Sequence, residues 1–351
     1  MPSANVLVKV RPMTAAVLFL ALAATPGSAT CLAANPPSAV ALVRAASNPP
    51  APGPQALPVI HTEGTLPHTG SHDQSAAAVR DFSYMLDLAL AWRDAHDAAA
   101  LTRLAGYFDA WAQTYRPSFD PIDETSLGNL IVAYRLAAAD LPKATAQRTR
   151  VFIEQLARGY LDWMEAHRGD ARGVWSNNWQ SHRVKLAVLA ASALNDEALF
   201  ARVRMAFVAQ LSANVRPDGE VLDFTQRDAL HYVVYDLEPL VLAAAVAQGR
   251  GENWLRLPGR EGQTLAAALD WLLPYAQGQR SHEEFQHSTV RFDAQRAQAG
   301  LPGFSGPWDP VSAKALYWSA SLLDPGYTAI ARRLASAPPR WLWAYAPPCR
   351  H

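Results

Sequence analysis

The chain has 351 residues, half of them hydrophobic, which is enough for one large core or two modest domains. Its formal net charge is zero. That balance argues against nucleic acid as a partner, since a phosphate-binding surface shows as excess lysine and arginine, but it leaves room for a local basic cleft.

Residues 1–29 read as a secretory signal peptide. Lys9 and Arg11 precede an apolar run from Thr14 to Ala24, too short to span a membrane, and small residues follow up to Ala29. The expected mature protein is periplasmic or secreted and has no membrane span. Cys31 and Cys349 stand at opposite ends of the chain, where an oxidising compartment allows either a disulfide between the termini or two unpaired thiols in tails. Residues 30–58, rich in Pro, Ala and Ser, predict a flexible segment, followed by a single domain over 59–340 and a tail over 341–351.

His61 to Ser75 is a polar loop with three histidines, His61, His68 and His72. Beyond it, apolar residues recur at three- and four-residue spacing, and strand-like alternation is scarce. The periodicity predicts helices over about Ser75–His96, Ala98–Thr114, Thr125–Ala138, Ala144–His167, Gln180–Leu194, Glu197–Leu211, Arg227–Gln248, Leu265–Gly278, Pro310–Leu323 and Gly326–Ala335. Helices of this number and length, joined by short loops, suggest antiparallel pairs around a shared centre. Most aromatic pairs on them read as core, while Trp175, Trp179 and Trp308, at loop–helix junctions, are candidates for stacking on sugar rings.

Between the second and third helices, Asp120, Asp123 and Glu124 either cap a helix and bind sugar hydroxyls or act as a glycosidase acid–base pair. The stretch Trp175–Leu194 places Asn178, His182 and Lys185 on one helical face. Asn177 or a neighbour caps its N-terminus, an end that favours a carboxylate. In Arg227–Leu240, helical spacing aligns Arg227, His231, Tyr235 and Glu238, as a reaction centre or as a hydrogen-bond ladder between helices. His282 and His287 imitate a zinc-protease motif, but an i, i+5 spacing splays the two rings, so no metal site is expected.

Asn177-Asn178 opening an apolar helix, followed by an A-L-x-Y-x-x-Y-x-L-x-P-L segment from Ala229 to Leu240, resembles the alginate lyase family of (α/α)-toroid polysaccharide lyases. The resemblance covers about residues 55–335. It departs from the family at Trp179, where the well-known members carry His, and at Val233-Val234, where they carry His-Asn. His182, one turn on, is the candidate to replace that imidazole, and Arg227 lies one residue further from Tyr235 than the family spacing.

The resemblance implies an all-α fold, an incomplete (α/α) toroid, and β-elimination on a uronic-acid polymer. Asn178, His182 and Arg227 would neutralise the carboxylate, and Tyr235 would abstract the C5 proton. In the family a tyrosine can also return that proton to the departing oxygen; Tyr232 and His231 are the reserves for the acid role. Asn177, Trp179, Lys185, His231, Tyr232, His68, Glu124 and Trp308 are the expected substrate-binding residues, with the His61–Ser75 loop as a lid or an ordinary connection. The partner is an acidic polysaccharide, and the chemistry needs no cofactor. Two alternatives stand beside it: a glycoside hydrolase using Asp123 or Glu124, and a noncatalytic glycan-binding protein in which Trp179 has displaced the family's His.

Overall fold

The structure is a computed structural model that describes residues 32–170 and 172–345; the signal segment and both cysteines lie outside them. Helices account for the regular structure among these residues, beside two isolated β-bridges. They are α1 (Ala39–Ala46), α2 (His72–Ala78), α3 (Arg80–Ala95), α4 (Ala98–Thr114), α5 (Leu127–Ala137), α6 (Lys143–Ala166) and α7 (Asn178–Leu194). The remainder are α8 (Glu197–Asn214), α9 (Leu222–Arg227), α10 (Leu230–Gln248), α11 (Leu265–Ala276), α12 (Arg291–Gln298), α13 (Lys314–Ala320) and α14 (Thr328–Leu334).

Composition sorts these helices into two layers. α5, α7 and α10 are buried on nearly every side, whereas α4, α6 and α8 bury one face and show the other to water. Accordingly α3, α5, α7, α10 and α13 follow one another as an inner arc, and α4, α6, α8, α11 and α14 pack outside it. This alternation of inner and outer helices is an incomplete (α/α) toroid. α10 is long and apolar enough to cross a membrane by length and composition, but 72% of that window is buried inside the fold.

The turns are written locally. Asn195 ends α7 in the left-handed conformation that Asn tolerates, and Asp196 then caps α8 by accepting from the Leu199 N–H. Asp97 caps α4 in the same way.

Three expectations need correction. The segment expected to be flexible carries α1, which packs on α3 with Leu32, Leu42 and Ala46 buried; Tyr84 and Arg103 both donate to the Ala46 carbonyl. Leu342, Trp343 and Ala344 of the expected tail are all buried, because their apolar side chains close the core beside α3 and α5. The helix expected from Arg227 onward is broken: α9 ends at Arg227, Asp228 turns left-handed at φ 49°, and α10 starts at Leu230.

Candidate active site

At the N-terminal ends of α7 and α10 lies a cleft of about 210 Å³. Asn178 and Trp179 reach it from α7, and His231, Tyr232 and Tyr235 from α10. Arg227 enters from α9, Phe292 and Arg296 from α12, and Glu63, Ile122, Val290 and Phe304 from connecting segments.

Asn177 caps α7 by accepting from the Trp179 N–H, which leaves Asn178 at the first turn. The buried Asp223 of α9 then takes both N–H groups of Asn178, the backbone at 2.7 Å and the side chain at 2.5 Å. Burial raises the Asp223 carboxyl against the pull of Asn178 and Arg227. Below it Asp236 is raised well above the usual range by burial and by Asp223, and accepts from Ser181 and Asn214.

The left-handed turn at Asp228 brings Arg227 back over the start of α10. Its guanidinium stands 3.8 Å above the Tyr232 ring, and its Nη1 donates to the buried Asp293 carboxylate at 2.5 Å. Arg296, one turn past Asp293 on α12, donates from Nη1 to Tyr232 Oη at 2.6 Å. Two cations therefore flank one phenol. His231 sits among Tyr232, Phe285 and Phe304, and burial, then Arg296 and Arg227, push its imidazole down to about 4, so it is neutral near pH 7.

Tyr235 lines the cleft with its ring 4.4 Å from that of His182. A polar chain fixes that histidine from below. Lys185 Nζ, which can only donate, lies 2.6 Å from Thr125 Oγ1, and the same hydroxyl lies 2.7 Å from His182 Nδ1. Pro239 has no N–H to return to the Tyr235 carbonyl one turn back, and this freed carbonyl raises the imidazole slightly. Burial and the Lys185 charge outweigh it and hold His182 neutral. Burial also pushes the Tyr235 phenol upward, with Tyr232 adding to it, so Tyr235 is protonated at rest.

Of the residues read from sequence, Asn178, Trp179, Arg227, His231, Tyr232 and Tyr235 meet at the cleft. Others do not line it. His182 and Lys185 are buried beneath, where Lys185 satisfies the Thr125 carbonyl and hydroxyl, so neither reaches a carboxylate in the cleft. Asn177 is a cap. Glu124 is fully buried and accepts from Tyr115, Tyr160 and the Ser118 N–H, a load-carrying role in the core rather than a substrate contact. His68 is held at the surface by Asp73. Trp308 packs against the core, with its backbone N–H on the His282 carbonyl. His282 and His287 both turn to Asp228.

Sequence reasoning missed Glu63, Asp223, Asp293 and Arg296. The first comes from the His61–Ser75 loop, which is docked by Asp123: its carboxylate accepts from the Thr62 and Glu63 N–H groups at 2.6 and 2.7 Å. Arg-Phe-Asp-Ala-Gln-Arg at 291–296 carried a weak helical signal, Asp293 and Arg296 three residues apart, but lacks the apolar stripe that marks a helix.

The alginate lyase family model matches residues 33–282. The chain belongs to the alginate lyase family. This places it among the polysaccharide lyases. No curated sequence matches the chain. Solved structures of similar fold include an alginate lyase from Bacteroides ovatus, 16% identical with a TM-score of 0.59, covering 88% of this chain and 93% of that one. Alginate lyase A1-III from Sphingomonas species A1 is 18% identical with a TM-score of 0.51, over 75% of this chain and 83% of its own. A variant of A1-III complexed with tetrasaccharide is 18% identical with a TM-score of 0.55, over 83% and 88%. In this alginate lyase family member, the cleft lies at the N-terminal ends of the inner helices α7 and α10.

Proposed function

We propose that this protein cleaves alginate or a related polyuronate by β-elimination, and acts in the periplasm or outside the cell. The observation that carries the reading is the convergence of Tyr235 and Tyr232 with Asn178, Arg227 and Arg296 on one cleft. A uronate must have its carboxylate neutralised before C5 becomes acidic enough to lose a proton. The Arg227 and Arg296 charges, with the Asn178 amide held in place by Asp223 so that its second side-chain N–H can donate, supply fixed positive potential for the enolate-like species that forms.

Tyr235 is the base in this reading. The C5–H bond breaks toward its oxygen, the C4–C5 double bond forms, and the C4–O bond breaks with its electron pair on the departing sugar. Because burial keeps the phenol protonated at rest, only its small phenolate fraction reacts. Trp179 offers a ring at the cleft wall for a sugar face, a use for the residue that stands where family members carry His.

The hydrolase alternative loses its residues. Asp123 holds the Thr62–Glu63 backbone and Glu124 holds two tyrosines, and neither lines the cleft. The test is ultraviolet absorbance of unsaturated uronate on a panel of alginate blocks, glucuronan, hyaluronan and pectate. A rise on one polymer supports the reading and names the substrate; reducing sugar released without that absorbance contradicts it.

A further inference from the structure

Tyr232 and Tyr235 stand one turn apart on α10, both at the cleft, with ring centroids 6.0 Å apart and planes at 89°. Their hydroxyls are in different surroundings. Arg296 Nη1 donates to Tyr232 Oη at 2.6 Å. A guanidinium has only donors and keeps its charge, so Tyr232 is the acceptor in that bond and its own proton is free for another oxygen. Were that proton to leave, the phenolate would lie between Arg296 at its oxygen and Arg227 over its ring at 3.8 Å. Asp293 fixes both arginines, with Oδ1 2.5 Å from Arg227 and 3.6 Å from Arg296. No guanidinium donates to Tyr235 in this way among the described residues.

We propose that Tyr232 is the proton donor to the departing glycosidic oxygen, leaving Tyr235 to abstract the C5 proton alone. This rests on the lyase reading above and divides between two tyrosines what one could do in turn. As the C4–O bond breaks, its electron pair goes to the leaving oxygen, and the Tyr232 proton follows it. The product sugar departs as an alcohol, the phenolate stays between the arginines, and the proton gained by Tyr235 returns to Tyr232 through solvent in the cleft. His231 does not compete for the role: a neutral imidazole is a poor acid, and Arg227 and Arg296 oppose its protonation. Arg296 is a positioning residue in this scheme.

The experiment compares the intact protein with Tyr232→Phe and Tyr235→Phe on the uronate polymer and on a short uronate carrying a phenol as its C4 leaving group. A phenol departs without help from an acid. Tyr232→Phe is expected to lose about a hundredfold or more on the polymer but only a few-fold on the aryl substrate. It should also still exchange the polymer's C5 proton for deuterium in heavy water. Tyr235→Phe is expected to lose both eliminations and the exchange. Equal losses of Tyr232→Phe on the two substrates, or undiminished polymer turnover, overturn the assignment. If Tyr232→Phe does not fold, Arg296→Gln serves instead: it must slow the polymer more than the aryl substrate, and an equal slowing overturns the proposal. A wild-type protein that forms no unsaturated product from any uronate polymer removes the lyase reading itself, a result separate from these.

Discussion

Asp223 accepts both N–H groups of Asn178, at 2.7 and 2.5 Å, so one buried carboxylate sets the direction of the amide at the start of α7. Asp223→Asn replaces an acceptor by a group that also donates, which turns the Asn178 amide away. The expected loss is on the order of a hundredfold in kcat with a smaller change in KM, the cost of about 1 Å of misplacement. Steady-state kinetics checks it. Burial raises the Asp223 carboxyl, so its charge is lost at a higher pH than for an ordinary aspartate. Wild-type activity should therefore fall early on the acid side, and Asp223→Asn should flatten that limb.

Glu284 accepts from the His231 N–H at the start of α10, and burial, with Asp228 nearby, pushes its carboxyl up to about 7. The folded protein holds this proton more tightly than the unfolded chain, where glutamate titrates near 4.3. Between those two values the native state binds more protons, so stability falls as pH rises, by roughly 1–3 kcal/mol over the window. Thermal midpoints should decline from pH 5 to 8 in the wild type and decline less steeply in Glu284→Gln, where other raised carboxyls such as Asp223 still titrate.

Glu63 puts a negative charge on the cleft wall opposite Arg227 and Arg296. Burial, then Asp120 and Asp123, raise its carboxyl, which eases but does not abolish repulsion of a polyanion. Glu63→Gln should lower KM for the polymer several-fold at neutral pH. The gain should shrink as salt is added, because screening shortens the reach of the charge. A KM unchanged at low salt would contradict this.

Asp293, buried, holds Arg227 and accepts from Ser288 as well. Asp293→Ala leaves the buried Arg227 guanidinium with only the more distant Asp223, at 3.8 Å, a change that costs up to about 3–5 kcal/mol. Chemical denaturation should show that loss, and turnover should fall with it as both arginines lose their anchor.

Which parts of this were legible in sequence follows from physical range. α7 and α10 announce themselves through apolar spacing, and Asn178, Tyr232 and Tyr235 through their place on it, because helix periodicity is local. Arg227 was the right residue on the wrong helix. Its return to the cleft depends on the left-handed Asp228, a conformation Asp tolerates without any pattern to mark it. His182 and Lys185 share a face as read, but that face meets Thr125 from 57 and 60 residues away and is sealed by it. Glu63 and Arg296 are brought in by loop and helix docking over similar separations, 60 residues to Asp123 and 64 to Tyr232. Trp341, Leu342 and Trp343 did carry an apolar signal at the C-terminal end, but five residues of 3₁₀ helix are too short for periodicity to speak.

In the proposed reaction Tyr235 takes the C5 proton of a uronate in this cleft. The most direct measurement is the rate of unsaturated product formation from alginate by wild type and Tyr235→Phe, with substrate binding measured on both. In Tyr235→Phe binding should survive while product formation collapses, and wild-type turnover should climb with pH through the neutral range, because the buried phenol must first ionise. Turnover that persists in Tyr235→Phe would contradict this role.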